Sequence, residues 1–324
     1  MRKLTHVWGA NQNGRHVVNK VLYIVGAPRS GTTILGESLG SSSEMEHIGE
    51  LNYLWDKNHP AAGECGCGTN LTDCPVWGRV LLNLSRAGVS RFETNGLRLN
   101  SWRMRQIPWR MRDIDSNRVA NEYPALLGSI YGWVSEYSRV EVVIDSTKLP
   151  GDALAASVAP GTDTHILHVV RDPRAAAYSR LVRTKDYGRA ASGSTMRRRG
   201  SLSSTRDWLG INAITYALVR RAVARDRFRE LRYEDLMDQP HQVLRAICTW
   251  LDVDPRSLPL RGSRNVELGT THTVMGNPNR FRTGVVELKT DEEWKTHLGT
   301  RDRISSALAA SPILRHYGYP LRRV

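Results

Sequence analysis

The feature that most constrains the fold is an apolar run followed by a glycine-punctuated turn, over residues 21–35. Its first five residues, 21–25, are all apolar and are typical of a fully buried strand. Gly26 and Gly31 bracket the turn, and apolar residues then recur at helical spacing. A strand, a glycine-rich turn and a helix in this order direct backbone N–H groups and a helix dipole at one spot. The stretch therefore predicts an anion cradle, and the alternative is an ordinary strand–helix turn.

The turn shares the glycine spacing of a phosphate-binding loop but lacks the lysine of that motif. The pattern G-x-x-x-x-G-K-[ST] carries a lysine that reaches the β- and γ-phosphates of a nucleotide. Here Thr32 stands where the lysine belongs, and Arg29 lies inside the turn. We therefore expect this turn to bind a different anion.

The rest of the chain predicts an α/β fold with a central, mainly parallel sheet. Residues 78–138 show no strand pattern and predict a helical insertion beside that sheet. Apolar β-rich runs predict strands, and amphipathic runs predict helices. The strands are expected over 141–144, 165–170 and 229–233, and the helices over 152–158, 211–223, 242–251 and 291–309.

Charged and hydroxyl side chains follow the predicted strands at the edge where parallel sheets bind ligands. Lys148 follows the strand over 141–144, and Arg171 follows the strand over 165–170. Ser179 lies eight residues after Arg171, two turns into a helix, so both could reach one phosphate. Glu50 follows a glycine soon after the first turn and is a candidate general base. The alternative for Lys148 is an exposed lysine in a turn, and the alternative for Glu50 is a solvated glutamate at the start of a helix.

The chain is strongly basic, with a formal net charge of +14. Such a charge implies anionic partners, which are a nucleotide, an acidic acceptor, a membrane surface or nucleic acid. Residues 171–206 alone hold ten Lys or Arg against two Asp or Glu. The sequence has no apolar run near the roughly 18 residues that span a membrane. Residues 1–20 form a polar, basic extension without the apolar core of a signal peptide, so we expect a cytoplasmic protein.

Three of the four cysteines lie within ten residues, at Cys65, Cys67 and Cys74. They are candidates for a disulfide, for a metal site with a fourth ligand such as His59, or for simple loop thiols. A structural zinc site uses four ligands, usually with a wider first spacing. A cytoplasmic location disfavours a stable disulfide. We predict no metal, and Cys248 is predicted to lie in the core.

Two motifs resemble those of sulfotransferases that use 3′-phosphoadenosine 5′-phosphosulfate (PAPS). Residues 26–33 look like the family's 5′-phosphosulfate loop, and residues 171–174 with Ser179 look like its 3′-phosphate motif. The resemblance covers about 21–300 and is weak over 78–138, where acceptor specificity is expected. Shorter stretches resemble bacterial members and the tyrosylprotein and carbohydrate branches, at 49–51, 65–77, 145–148, 232–236 and 276–280.

This resemblance implies a P-loop-type, three-layer α/β fold as a single domain over 21–324, with PAPS as the donor and no metal. The cytosolic branch uses a catalytic histidine, for which no comparable motif is seen, so His47 is an alternative base. The implied site residues fall into three groups by role. They are Arg29, Ser30, Gly31, Thr32 and Thr33 for the 5′-phosphosulfate, Arg171, Ser179 and Arg280 for the rest of the donor, and Glu50, Lys148 and Arg29 for catalysis.

The chemistry expected from these residue types is an in-line sulfuryl transfer that resembles phosphoryl transfer. The expected acceptor is a hydroxyl of a glycan, a lipid, a natural product or a tyrosine. If the positive charge of the chain attracts the acceptor, the acceptor is anionic or membrane-associated. Two other classes compete with this interpretation. One is a P-loop nucleotide kinase or NTPase, which needs the missing lysine and a Mg²⁺ carboxylate. The other is a basic nucleic-acid-binding protein, for which no recognition motif is seen and which we do not expect.

Overall fold

The computed structural model of the chain describes residues 19–55, 63–89, 122–182 and 200–320. Residues 94, 95, 98, 106 and 107 are described in addition. Several predictions lie outside the described residues. They are the basic extension up to residue 18, most of the insertion over residues 90–121, and the basic segment 183–199.

A five-stranded sheet lies at the centre of the protein, and its neighbouring strands are all parallel. The strand order is β2-β3-β1-β4-β5, so the first strand is in the middle. This confirms the predicted α/β fold with a mainly parallel sheet. The strands are β1 (Asn19–Val25), β2 (Met45–Gly49), β3 (Val142–Lys148), β4 (Thr162–Val170) and β5 (Phe228–Arg232).

Helices cover both faces of the sheet and complete three layers. Alternate residues of β1 enter two separate apolar clusters, since successive side chains of a strand point to opposite faces. Val21 and Tyr23 pack with one group of helices, and Leu22 and Ile24 pack with a second group on the opposite face. The first group is α2 (Trp77–Arg86), α3 (Glu122–Ser138) and α4 (Pro150–Ser157), and the second is α1 (Thr32–Gly40), α7 (Tyr233–Asp238) and α8 (Pro240–Trp250).

A third group of helices packs beside the carboxyl-terminal half of the sheet. The predicted last helix over 291–309 is wrong in its bounds, because the chain leaves the helix at Leu298 and enters a new one after Gly299. This group is α5 (Pro173–Val182), α6 (Ser201–Ile214), α9 (Trp294–His297) and α10 (Thr300–Leu314).

Strand β2 and a small antiparallel sheet were not predicted. β2 holds a glutamate and a histidine among only five residues, so its apolar pattern is too short to read. The small sheet has the order β6-β7-β8, with β6 (Leu260–Arg261), β7 (Asn265–Leu268) and β8 (Gly284–Glu287). Within the described residues, no helix is both long enough and apolar enough to cross a bilayer.

Candidate active site

A cleft of about 640 Å³ opens at the carboxyl-terminal edge of the central sheet. Its lining includes the turn after β1, Glu50 after β2, Lys148 at the end of β3, and residues 275–277 and 289–293. Eight of the eleven candidate site residues that the sequence analysis names, with the alternative base His47 included, line this cleft. They are Arg29, Gly31, Thr32, Thr33, Glu50, Lys148, Arg171 and Ser179.

Both glycines of the first turn are required because neighbouring atoms leave no space for a Cβ. A Cβ on Gly26 would lie 2.3 Å from the carbonyl oxygen of Val169 on the neighbouring strand β4. Gly31 has φ +83°, and a Cβ there would lie 2.4 Å from the ring of Tyr233. Helix α1 begins at the next residue, with no acidic side chain in its first turn. The free N–H groups of that turn therefore face the cleft with a favourable dipole.

Arg29 joins the first turn to the two residues of the second motif. Its Nε donates to Ser179 Oγ at 2.9 Å, and its carbonyl oxygen accepts from Arg171 Nη1 at 3.1 Å. Ser179 lies on α5, so the expected convergence of Arg171 and Ser179 takes place around Arg29. Two guanidinium groups and a hydroxyl thus lie together on one side of the cleft.

Two residues that the sequence analysis missed hold the Arg171 side chain. The ring of Tyr233 lies under the guanidinium, with Cζ 4.3 Å from the ring centroid. Asp291 accepts from Arg171 through its backbone oxygen at 3.3 Å and lies at 3.5 Å through its carboxylate. Burial raises the pKa of the Tyr233 phenol, so the ring is neutral at pH 7. Tyr233 is the last residue of the strand predicted over 229–233 and directly follows the observed β5, and this position at the sheet's ligand edge was the available signal.

Arg29 and Lys148, the two cations predicted to take part in catalysis, share an unusual backbone conformation. Arg29 has φ 75° and Lys148 has φ 74°, and they are two of only four described non-glycine residues with positive φ. This region costs roughly 1–2 kcal/mol for such residues. Both carbonyl groups are tied down, because Lys148 O accepts from Gly26 N at 3.2 Å and Arg29 O accepts from Arg171. Such strain is concentrated at functional sites, where surrounding contacts maintain it.

Glu50 and Lys148 form an ion pair in the cleft. Lys148 Nζ donates to Glu50 Oε1 at 2.5 Å, and the two side chains are only 13% and 15% exposed. Strands β2 and β3 are neighbours, so their ends bring together residues 98 positions apart in the chain. The cleft therefore holds a carboxylate and a cation side by side, and it is also lined by Arg29 of the first turn.

The chain around Glu50 is held by a segment from the carboxyl-terminal half. Gly49 has φ +75°, and a Cβ there would lie 2.3 Å from Met275 O. The same carbonyl accepts from Glu50 N at 3.3 Å, and Val274 N donates to Ile48 O at 2.9 Å. Residues 274 and 275 thus run along β2 and fix the backbone from which Glu50 projects.

Three residues named from the sequence lie outside the lining of the cleft. His47 is buried on β2, where its ring nitrogens contact Glu37 Oε1 at 3.1 Å and Ser146 Oγ at 2.9 Å. Ser30 is fully buried beneath the turn.

Arg280 is the third of these residues, and it points to the segment 63–74 rather than into the cleft. It donates through Nη2 to Glu64 O at 3.3 Å, and only 2% of the residue is exposed. Burial lowers the pKa of its guanidinium group. Its contact with a bound donor stays a prediction, whereas its contact with Met275 Sδ at 3.8 Å supports the segment behind Glu50.

The chain is similar to several solved structures of sulfotransferases and sulfotransferase domains. The sulfotransferase domain of the Synechococcus PCC 7002 olefin synthase is 17% identical, with 94% of this chain and 96% of that chain covered and a TM-score of 0.49. The sulfotransferase domain of the curacin biosynthetic pathway is 15% identical, with 94% and 99% covered and a TM-score of 0.46. Sulfotransferase STF9 of Mycobacterium avium is 13% identical, with 99% and 81% covered and a TM-score of 0.46.

Sequence comparison gives the stronger result. No curated protein sequence matches the chain. The model of the sulfotransferase family matches residues 22–256, which is more than half of the chain and includes the first turn, Glu50, Lys148 and the Arg171 motif. The chain therefore belongs to the sulfotransferase family and is an enzyme of that family.

Proposed function

We propose that this enzyme transfers a sulfuryl group from PAPS to the hydroxyl of an acceptor, with Glu50 as the general base. One observation carries the proposal. A single cleft brings the Arg29–Arg171–Ser179 cluster and the Glu50–Lys148 pair to the ligand edge of the sheet. The first group suits two phosphate-like anions, and the second suits proton removal beside a developing negative charge.

The residues of the cleft fit such a donor. Its volume lies in the range of about 300–1,000 Å³ that holds small-molecule ligands. Arg171 lines the cleft, and its Nε is one of the buried polar atoms without a hydrogen-bond partner among the described residues. In our proposal, residues 29–33 hold the 5′-phosphosulfate, and Arg171 with Ser179 holds the 3′-phosphate.

The chemistry proposed for the cleft requires positioning and electrostatics more than covalent catalysis. When bound, the donor supplies a sulfuryl group on a phosphate leaving group. Glu50 accepts the acceptor's hydroxyl proton through Oε2, since Oε1 is held by Lys148. Lys148 and Arg29 stabilise the negative charge that grows on the leaving oxygen. We propose that these two basic side chains replace a catalytic metal.

The nucleotide preference separates this proposal from its main rival. A ligand that binds only the folded state at 100 times its dissociation constant stabilises it by about 2.7 kcal/mol. We expect 3′,5′-ADP to raise the melting temperature and Mg·ATP to raise it much less, in thermal-shift measurements at equal concentrations. A larger shift with Mg·ATP would favour a kinase or NTPase. Binding to nucleic acid that depends steeply on salt and is not reduced by 3′,5′-ADP would favour a basic nucleic-acid-binding protein.

The role of Arg171 predicts a selective loss of affinity. Removing one charge-assisted contact costs about 1.5–3 kcal/mol. Arg171→Ala should therefore weaken 3′,5′-ADP binding about tenfold or more while weakening 5′-AMP binding much less, as measured by calorimetry. The difference arises because only the first nucleotide has a 3′-phosphate.

Arg180→Ala is the matched control for this prediction. Arg180 also lines the cleft, but it is engaged with Asp207 at 2.9 Å. Its replacement should change both affinities slightly and equally. Equal large losses for both nucleotides in Arg171→Ala would mean that Arg171 serves only to hold the carbonyl of Arg29, and the 3′-phosphate assignment would be wrong.

The acceptor is proposed as a hydroxyl compound that is anionic or membrane-associated, because the chain carries a net charge of +14. The cytoplasmic location expected from the sequence stays a prediction. The acceptor class can be identified by incubating the enzyme with labelled PAPS and cell extract and following the label by mass spectrometry. Transfer to no component of such extracts, with 3′,5′-ADP binding intact, would contradict the proposed activity.

A further inference from the structure

Four metal-ligating side chains converge outside the cleft, and we name them the cysteine cluster. Their ligand atoms, three Sγ and one imidazole nitrogen, all lie within 4.8 Å of one another. Two of the cysteines are buried, and the other two side chains are half-buried. The cluster consists of Cys65, Cys67, Cys74 and His272.

The distances within the cluster suit a tetrahedral zinc site. Zn–S bonds of about 2.3 Å and Zn–N bonds of about 2.0 Å place neighbouring ligand atoms about 3.5–3.8 Å apart. The Nδ1 atom of His272 lies 3.7 Å from Cys65 Sγ and 3.2 Å from Cys74 Sγ. Because all separations are within 4.8 Å, the site needs a contraction of at most about 1 Å, which side-chain rotation can supply.

The backbone around the cysteines forms a tight scaffold for such a site. Cys65 N donates to Thr69 O at 2.8 Å, and Gly68 N donates back to Cys65 O at 2.9 Å, so the first two cysteines lie on one narrow turn. Gly68 has φ +85°, which this turn requires. Trp77 N donates to Cys74 Sγ at 3.4 Å. Hydrogen bonds to a ligand sulfur orient it and stabilise its thiolate form.

His272 is anchored as firmly as the cysteines. Its backbone N donates to Glu46 Oε1 at 2.8 Å, and its carbonyl oxygen accepts from Trp77 Nε1 at 2.5 Å. Next to it, Gly66 N donates to Thr273 O at 2.8 Å. A Cβ on Gly66 would lie 2.6 Å from the backbone oxygen of Thr271, so the two segments pack backbone to backbone.

We propose that the cysteine cluster binds one structural Zn²⁺ ion. Three thiolates and one imidazole are a donor set that selects zinc among the common divalent ions, and a closed four-ligand site is structural rather than catalytic. A disulfide would use two cysteines and leave the third thiol and His272 without a role. Binding releases the thiol protons to solvent. The proposal departs from the sequence-based expectation of no metal, because His272 lies 198 residues beyond Cys74.

The ion would connect two segments that support the catalytic cleft. Residues 63–78 carry the cysteines, and His272 precedes by three residues the Met275 carbonyl that accepts from Glu50 N. Arg280 joins the same two segments through Glu64 and Met275. We therefore expect zinc to stabilise the fold and to fix the backbone behind Glu50 without touching the reacting groups.

The test is the metal content and metal spectrum of the whole protein. After incubation with Zn²⁺ and removal of free metal, elemental mass spectrometry should find about one zinc per chain, as a Cys₃His site requires. Cobalt in place of zinc should give the visible absorption and sulfur-to-metal charge transfer of a tetrahedral thiolate site. Cys67→Ser should lose most of the zinc and the charge-transfer band, because it removes the least buried of the three cysteine ligands. Its matched control is Cys248→Ala, the cysteine of helix α8, which should keep one zinc.

The outcomes decide the proposal without any measurement of sulfuryl transfer. A strong chelator should lower the melting temperature of the wild type but not of Cys67→Ser, since a metal that binds only the folded state stabilises it. Absence of bound zinc after incubation, or a Cys65–Cys74 disulfide in peptide maps of freshly purified protein, would overturn the site. Should Cys67→Ser aggregate, the cobalt spectrum of the wild type decides alone, and absence of thiolate charge transfer refutes the proposal.

Discussion

Replacing Glu50 by glutamine is expected to lower the turnover number by roughly 10²–10⁴, the usual effect of removing a positioned base. Glutamine keeps the shape of the side chain and can still accept a hydrogen bond from Lys148 Nζ through its amide oxygen. It cannot take the acceptor's hydroxyl proton. The affinity for 3′,5′-ADP should stay near that of the wild type, because the proposal assigns donor binding to residues 29–33, Arg171 and Ser179. Single-turnover kinetics and calorimetry measure the two quantities separately.

Glu292→Gln is a suitable control for this experiment. Glu292 also lines the cleft, but its Oε1 accepts from Lys295 Nζ at 2.6 Å, and the proposal gives it no part in proton transfer. Its replacement should leave turnover within about twofold, since surface pairs of this kind contribute at most about 1 kcal/mol. Retained activity in Glu50→Gln would remove Glu50 from the mechanism.

His47 is the alternative base, and its surroundings predict a different result. Its imidazole packs against Gly36, where an added Cβ would lie 2.4 Å from His47 Nε2, and its own Cβ packs against Gly40. Its two nitrogens are engaged by Glu37 and Ser146. We expect His47→Ala to lower thermal stability, because it opens a cavity and leaves buried polar partners unsatisfied. A folded His47→Ala protein without turnover, beside an active Glu50→Gln, would reassign the base.

The sequence predicted the placement of those candidate site residues that are contiguous in the chain or lie at helical spacing. The first turn, residues 26–33, joins a buried strand to a helix, so its geometry follows from local pattern alone. Arg171 and Ser179 are eight residues apart across a strand end and a helix, and the structure places both beside Arg29. Local sequence determined these positions because the strand–turn–helix unit has few conformations.

The remaining contacts depend on tertiary packing that single-sequence patterns do not contain. Tyr233 lies under Gly31 and Arg171, yet a tyrosine after a strand is equally typical of a core position. Asp291 reaches Arg171 from 120 residues away, and His272 reaches Cys74 from 198 residues away. The pairing of Glu50 with Lys148 required strand β2, whose five residues gave no readable pattern.

Replacing Lys148 by methionine should lower turnover by roughly 10²–10³, whereas a metal chelator should leave the chemical step nearly unchanged. One preorganised group that stabilises developing charge contributes about 3–4 kcal/mol to the transition state. Methionine has a similar length, lacks the charge, and meets the same backbone strain at φ 74°, so the change isolates the ammonium group. Lys289→Met is the matched control, because Lys289 lines the cleft but its side chain is 76% exposed. Its removal should change turnover little, since charges in such exposed positions are screened by water and salt.

The chelator arm separates a catalytic ion from the structural zinc proposed for the cysteine cluster. Initial rates are measured immediately after EDTA is added, with zinc content followed in parallel by elemental mass spectrometry. Because Arg29 and Lys148 are side-chain cations, EDTA cannot remove them, and rates should hold as long as the protein remains folded. A slow loss of activity that tracks zinc release and melting would reflect the cysteine cluster and would be reversed by Zn²⁺. Immediate inactivation that Mg²⁺ reverses, together with near-normal turnover of Lys148→Met, would show that a metal stabilises the leaving group and that the two cations do not.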